Sequence, residues 1–230
     1  MIIAIDGLAG SGKSSTARKV ADILDFNYFT TGKMYRAFTL YCIENNLIDN
    51  LSNLDVFKLN HIDILIEGEN FNTIYIDGIN YTSNSYDLYS DTVNINISKI
   101  SCIPIIRYKM VKIQRLVSKK SNIVCEGRDI GTVVFPEAEL KFFFKADLKS
   151  RVNRRYLDIK SKNKKITKKT LGKLIVERDY KDINRTVSPL KRPRDSFLVI
   201  TTNMTMDEQV HFILDKVNKT RKTNDKQRRK

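Results

Sequence analysis

Eight residues near the start of the chain, Gly7-Leu8-Ala9-Gly10-Ser11-Gly12-Lys13-Ser14, constrain its fold more than any other stretch. They follow an apolar run, Ile2-Ile3-Ala4-Ile5, and precede Ala17, Val20, Ala21 and Leu24 at helical spacing. Strand, glycine-rich turn and helix in that order is the setting in which GxxxxGK[ST] wraps a polyphosphate. Backbone N–H groups of such a turn converge on the anion, and the helix start adds the positive end of its dipole. Lys13 is then placed to reach the terminal phosphates, and the Ser14 hydroxyl suits Mg²⁺; Ser15 closes the same stretch. The apolar run does not alternate with polar residues, so its strand is read as covered on both faces, as in a parallel sheet.

Strands and helices alternate along the rest of the chain. The patterns predict helices over 33–44, 51–59, 91–98, 104–117, 149–161, 168–185 and 206–217, with core strands at 28–29, 122–125, 140–144 and 197–200. Pro104 fits the first turn of its helix. Residues 61–66 and 73–76 are rich in isoleucine, and Asp77-Gly78 is a hairpin signal, which predicts a small antiparallel insert. Lys162-Asn163-Lys164-Lys165 reads as the link between two basic helices. The expected fold class is α/β, a parallel sheet flanked by helices.

Hydrophobic residues make up 41% of the 230 positions and charged residues 29%, which supplies a core and excludes wholesale disorder. No stretch approaches the ~18 consecutive apolar residues of a membrane span. Met1 to Asp6 lacks the basic region of a secretory signal. Cys42, Cys102 and Cys125 show no CxxC spacing and read as reduced thiols of a cytoplasmic protein. His61 and His211 fall outside the motifs and read as structural.

The net charge of +15 is unevenly placed. Residues 149–194 hold seventeen Lys/Arg against four acids, and 216–230 hold eight against one, so the remainder is net acidic at −5. A basic segment of that size expects phosphates. The final fifteen residues lack apolar periodicity and read as a solvated, disordered tail. An acidic body argues against a nucleic-acid-binding protein that merely retains the glycine-rich turn, so no obligate nucleic acid is expected.

No NKxD motif and no apolar strand ending in DExx occurs, which disfavours a GTPase or a helicase. Three further blocks narrow the choice: Thr30-Thr31-Gly32 with Met34-Tyr35-Arg36, Glu126-Gly127-Arg128-Asp129-Ile130-Gly131-Thr132-Val133-Val134-Phe135-Pro136, and Glu177-Arg178-Asp179 with Asp182-Ile183-Asn184-Arg185 and Ser188-Pro189-Leu190. With the glycine turn they resemble the bacterial cytidylate kinases from about residue 2 to 215. The resemblance implies a P-loop NTPase-type nucleoside monophosphate kinase domain over 1–215. Its acceptor-binding insert would span about 34–100 and a helical lid about 149–185. It implies MgATP as phosphate donor, CMP or dCMP as acceptor, no membrane association and a monomer. UMP is the nearest rival acceptor.

The resemblance also places site residues. Gly7, Leu8, Ala9, Gly10, Ser11, Gly12, Lys13, Ser14, Ser15 and Arg151 would bind ATP, with Ser14 as the metal contact through ATP. Thr31, Arg36, Arg128 and Arg185 would meet the acceptor phosphate; Ser98, Arg107 and Asp129 the cytosine; Arg178 and Asp182 the sugar. Lys13, Arg128, Arg185, Arg154 and Arg155 would carry the catalytic charge. Thr30 and Glu126 depart from the family, which more often has Asp at both positions. The residue types agree with the chemistry. A nucleotide phosphate is already an anionic nucleophile, so positioning and charge stabilisation suffice and arginine forks supply both. A carboxylate such as Asp129 matches the exocyclic amine of cytosine and loses its hydrogen bond against the carbonyl of uracil.

Overall fold

The computed structural model describes residues 1–53, 56–83, 86–160 and 166–228. Five parallel strands form the main sheet: β1 (Ile2–Gly7), β2 (Asn27–Thr30), β6 (Ile123–Gly127), β7 (Leu140–Lys145) and β8 (Phe197–Ile200), in the order β2-β6-β1-β7-β8. The first strand in sequence is therefore the central one. It pairs with β6 from Ile2 opposite Ile123 to Asp6 opposite Gly127, and with β7 from Ile3 opposite Leu140 to Gly7 opposite Phe144.

Both faces of the sheet are covered, which is why β1 reads as an unbroken apolar run. Ile3 and Ile5 point with Val124, Phe142 and Phe144 into a core closed by Ala17, Val20 and Ala21 of α1 (Lys13–Leu24) and Val210, Ile213 and Val217 of α8 (Met206–Arg228). Ala4 and Cys125 point the other way, onto Met34, Ala37 and Phe38 of α2 (Thr31–Glu44), Ile97 and Ile100 of α4 (Asp91–Ser101), and Ile106 and Met110 of α5 (Pro104–Val117). Burying a side chain of this size contributes about 1.5–3 kcal/mol.

The insert is present as a three-stranded antiparallel sheet, β3 (Ile64–Glu67), β4 (Thr73–Ile76) and β5 (Ile79–Asn80). Its Asp77-Gly78 turn has positive φ at both residues, 48° and 78°, the geometry that favours this dipeptide in a tight hairpin. The basic segment forms α6 (Leu148–Lys160) and α7 (Lys168–Asn184). Ala9 of the glycine turn packs with Val152, Leu171 and Ile175 in a small separate core beneath these two helices.

Boundaries differ from the sequence reading in several places. The helix expected over 51–59 is a 3₁₀ turn at Ile48–Asn53 and then α3 (Val56–His61), with positions 54 and 55 outside the described residues. Ser and Asn at 52 and 53 favour turns over helix interior. The strand expected from His61 starts at Ile64, because His61 still belongs to α3 and its Nδ1 shares a 2.7 Å hydrogen bond with the Phe57 carbonyl. Helix α7 ends at Asn184, and Arg185 leaves it with extended backbone, ψ 143°. The link Lys162–Lys165 and the expected helix end at Ser161 lie outside the described residues.

The tail is the largest correction. Helix α8 continues to Arg228 rather than stopping at Val217, so residues 216–228 are helical and not disordered. Neither glycine nor proline interrupts the stretch, and Lys, Arg and Gln are good helix formers. The Asp215–Lys219 pair at 2.8 Å and Arg221, 5.5 Å from the Phe26 ring centroid, tie the extension to its own helix and to the body.

Candidate active site

The glycine turn, residues 7–12, leaves the carboxyl end of β1 and feeds α1. Gly7 has φ +145°, and a Cβ there would lie 2.1 Å from the Phe144 carbonyl oxygen, so only glycine lets the turn pass β7. Gly12 caps α1 with φ 95°, and no side chain takes up the first N–H groups of that helix. In contrast, α4 and α7 have Ser90 and Thr167 as hydrogen-bonding caps. The uncapped start of α1 leaves its N–H groups for an anion.

Lys13 is buried beneath the turn, its Nζ donating to the Leu8 carbonyl at 2.7 Å. Burial, and then the Arg128 guanidinium, push its ammonium down to about 7. Ser14 Oγ donates to Glu126 Oε1 at 2.9 Å, and Thr30 Oγ1 donates to the same oxygen at 2.6 Å. The two departures from the family pattern therefore touch each other. Ser15 sits exposed beside them on α1.

Helices α6 and α7 meet the turn directly. The Asp179 carboxylate accepts the Ala9 N–H at 3.0 Å and pairs with Arg151, whose Nη1 also donates to the Ala9 carbonyl at 3.1 Å. Arg154 donates to Thr201 Oγ1 at 3.2 Å, and Thr201 Oγ1 donates to the Ser11 carbonyl at 2.8 Å. Arg155 is half-buried, and its charge adds to the positive field at Arg36 and Arg178.

The residues expected to meet the acceptor come together from five elements. Arg128, just past β6, donates through Nε to Asp182 Oδ2 at 2.8 Å. Arg107 of α5 and Arg185 hold the buried Asp129 between them, the latter at 3.3 Å. Arg185 also lies 3.7 Å from Asp182. Arg36 donates to the Leu88 carbonyl at 3.0 Å and to Asn94 Oδ1 at 2.9 Å, which fixes it from the far wall. Thr31 Oγ1 donates to the Glu126 carbonyl at 3.2 Å. Ser98 stands half-buried on α4, one turn from Ser101, whose carbonyl accepts from Arg107.

Positive charge exceeds what these acids balance. Arg178 is held down to about 10, first by burial and then by Arg128, with Arg36 and Arg155 adding to it. Burial raises the cost of ionising Asp182, yet Arg128, Arg178 and Arg185 together hold its carboxyl below the ordinary range. Four arginines around one point, with few counter-charges, form an anion site.

Sequence reasoning gave no role to Asp179, although it quoted the residue. Its partners, Ala9 and Arg151, are 170 and 28 positions away, and no local pattern announces such a contact.

A glycine turn that presents free helix N–H groups beside a convergent arginine set, on a parallel sheet, defines a P-loop phosphotransferase. The sequence profile described as "Cytidylate kinase" matches residues 3–219. A cytidylate kinase from Chloroherpeton thalassium is 39% identical over 222 residues, covering 94% of this chain and 92% of its own. One from Fusobacterium nucleatum is 38% identical, covering 96% of this chain and 99% of its own. One from Caldanaerobacter subterraneus is 37% identical, covering 96% of each. The chain belongs to the cytidylate kinase family.

Proposed function

We propose that this chain transfers the γ-phosphoryl group of ATP to CMP or dCMP, giving ADP and CDP or dCDP. The observation that carries the reading is the cluster of Arg36, Arg128, Arg155 and Arg178 beside the glycine turn, which supplies charge for two phosphate-bearing substrates at once. The donor's phosphates would lie in the turn, with Lys13 leaving the Leu8 carbonyl to meet them and regaining its full charge there. The acceptor phosphate would meet Thr31, Arg36, Arg128 and Arg185. No side chain need remove a proton, because that phosphate is ionised near neutral pH. In-line placement and neutralisation of the moving charge then provide the catalysis.

Asp129 would accept the cytosine amine. Its carboxylate already pairs with Arg107 and Arg185, and each oxygen has a second lone pair for the base. The Ser14 hydroxyl and Glu126 carboxylate, 2.9 Å apart, are hard oxygen donors of the kind Mg²⁺ takes, and they would hold it together with the donor phosphates. When bound, the ion offsets negative charge on the transferring group. Arg151, Arg154 and Arg155 would close over ATP. We place the enzyme in the cytoplasm as a monomer; no described helix is long and apolar enough to cross a membrane.

A coupled assay of ADP release with ATP and CMP, dCMP, UMP or AMP tests the proposal. CMP and dCMP should turn over far faster than UMP or AMP. Preference for UMP or AMP, or no ADP release with any of the four, refutes it.

A further inference from the structure

Asp6 is the last polar side chain before the glycine turn, and it is almost fully buried at the centre of the sheet. Its carboxylate does not face the glycine turn's N–H groups. Oδ1 accepts the Ile130 N–H at 2.8 Å and Oδ2 accepts the Gly131 N–H at 2.8 Å. These are the two residues that follow Asp129. They open a wide turn, residues 130–134, in which the Asp129 carbonyl accepts from Val133 and Val134 and the Ile130 carbonyl from Phe135. One carboxylate thus joins the strand that carries the donor loop to the backbone that carries the base-facing Asp129.

A carboxylate in such a place is costly. Burial pushes it up to about 7, opposed by the two N–H donors and by Lys13, and reinforced by the negative charge of Asp129. Satisfying two backbone N–H groups alone does not require a charge, since a neutral acceptor or a water can do it. What a charged, two-pronged acceptor adds is fixed orientation, because both N–H vectors must point at one rigid group.

We infer that Asp6 is a positioning residue: it fixes the Asp129 turn relative to the glycine turn and thereby sets discrimination between acceptor bases. This inference rests on the proposed role of Asp129 in reading the base. In Asp6→Asn one oxygen remains to accept, and the amide presents its own N–H to a backbone N–H. The turn loses its two-point anchor while the donor loop keeps its glycines and Lys13.

The experiment compares wild type, Asp6→Asn and Asp129→Asn as full-length chains, measuring KM for ATP and kcat/KM for CMP and UMP, with thermal melting as the fold control. Asp6→Asn should raise the KM for CMP about tenfold and lower the CMP-to-UMP ratio, with the KM for ATP and kcat at saturating CMP close to wild type. An unchanged ratio in Asp6→Asn, alongside a collapsed ratio in Asp129→Asn, overturns the inference and leaves the base-reading role standing. An unchanged ratio in Asp129→Asn overturns that role, and this inference with it. Equal losses for ATP and CMP in Asp6→Asn also overturn it. If Asp6→Asn does not fold, Gly131→Ala replaces it. A Cβ there would lie 3.0 Å from Pro193 Cγ and 3.2 Å from Lys141 Cδ, which crowds the turn from the side opposite Asp6 while Asp6 stays intact. The same selective loss for CMP is expected, and an unchanged CMP-to-UMP ratio in that variant overturns the inference.

Discussion

The glycine turn and the arginine cluster, the proposed donor and acceptor sites, lie side by side but are built on opposite plans. Residues 7–14 are contiguous, and their site is made of backbone N–H groups that glycine geometry exposes. The proposed acceptor pocket is made of side chains from α2, α4, α5, the end of β6, and α7 with the residue that follows it. Its charges are already paired with one another: Arg107 with Asp129, Arg128 with Asp182, Arg185 with both acids. A backbone site is specified by conformation, so local sequence determines it. A side-chain site is specified by tertiary contacts, and its ligand must join a network that already exists.

The contrast is broken most severely at Lys13. Lys13→Ala should lower kcat by about a thousandfold while leaving the melting temperature at or above that of wild type. The second part follows because Lys13 is buried and held near a pKa of 7, so its removal deletes an ammonium that the free protein carries at a cost. Near-normal turnover in a folded variant would remove the donor loop from the mechanism.

Asp129→Asn probes the side-chain plan and should lower kcat/KM for CMP about ten- to hundredfold with less effect on ATP. Asparagine is the informative replacement. Either replacement removes the counter-charge of Arg107, but alanine also deletes both acceptor oxygens and leaves a void in a buried site, whereas asparagine keeps the volume and one oxygen for the arginines. Equal losses for CMP and UMP would show that the residue does not read the base.

A smaller effect tests the joint between the two plans. Asp179 accepts the Ala9 N–H and pairs with Arg151, so one carboxylate joins both basic helices to the glycine turn. Amide exchange over 149–160 and 166–184 should slow when a bisubstrate analogue binds, and slow more than exchange over 197–200. Asp179→Asn should speed exchange in the free enzyme. Identical exchange with and without the analogue would make this segment a static basic surface.

The smallest effect is in pH. Asp182 has its pKa lowered by Arg128, Arg178 and Arg185 against the cost of burial, so its contribution is present above the unfolded value of 3.8 and is lost as pH falls through the folded one. The stability gap between wild type and Asp182→Asn should be full at neutral pH and narrow only below about pH 4. A gap already narrowing near pH 6 would mean that these arginines do not hold the carboxyl down.

These two plans also explain what could be read from sequence. The strand, turn and helix at 2–24 were legible to the residue at the helix, because glycine spacing and apolar periodicity are local signals. The Asp77-Gly78 hairpin and the helix from Pro104 were legible for the same reason. The acceptor residues could be placed only through family resemblance, and contacts such as Thr30 with Glu126 or Asp179 with Ala9 join positions 96 and 170 apart. The end of α8 was misplaced because polar residues carry no apolar period, although their helix propensity is good.

The central place of β1 has a consequence for how the chain is made. Its two neighbours in the sheet begin at Ile123 and Leu140, so β1 leaves the ribosome well before either of its partners. At about 5–20 residues per second, Ile2-Ile3-Ala4-Ile5 waits for several seconds or longer as an apolar segment with open hydrogen-bonding edges on both sides. The glycine turn is thus synthesised before the strands that shape it, and a nascent chain stalled before residue 123 holds the whole glycine motif without them.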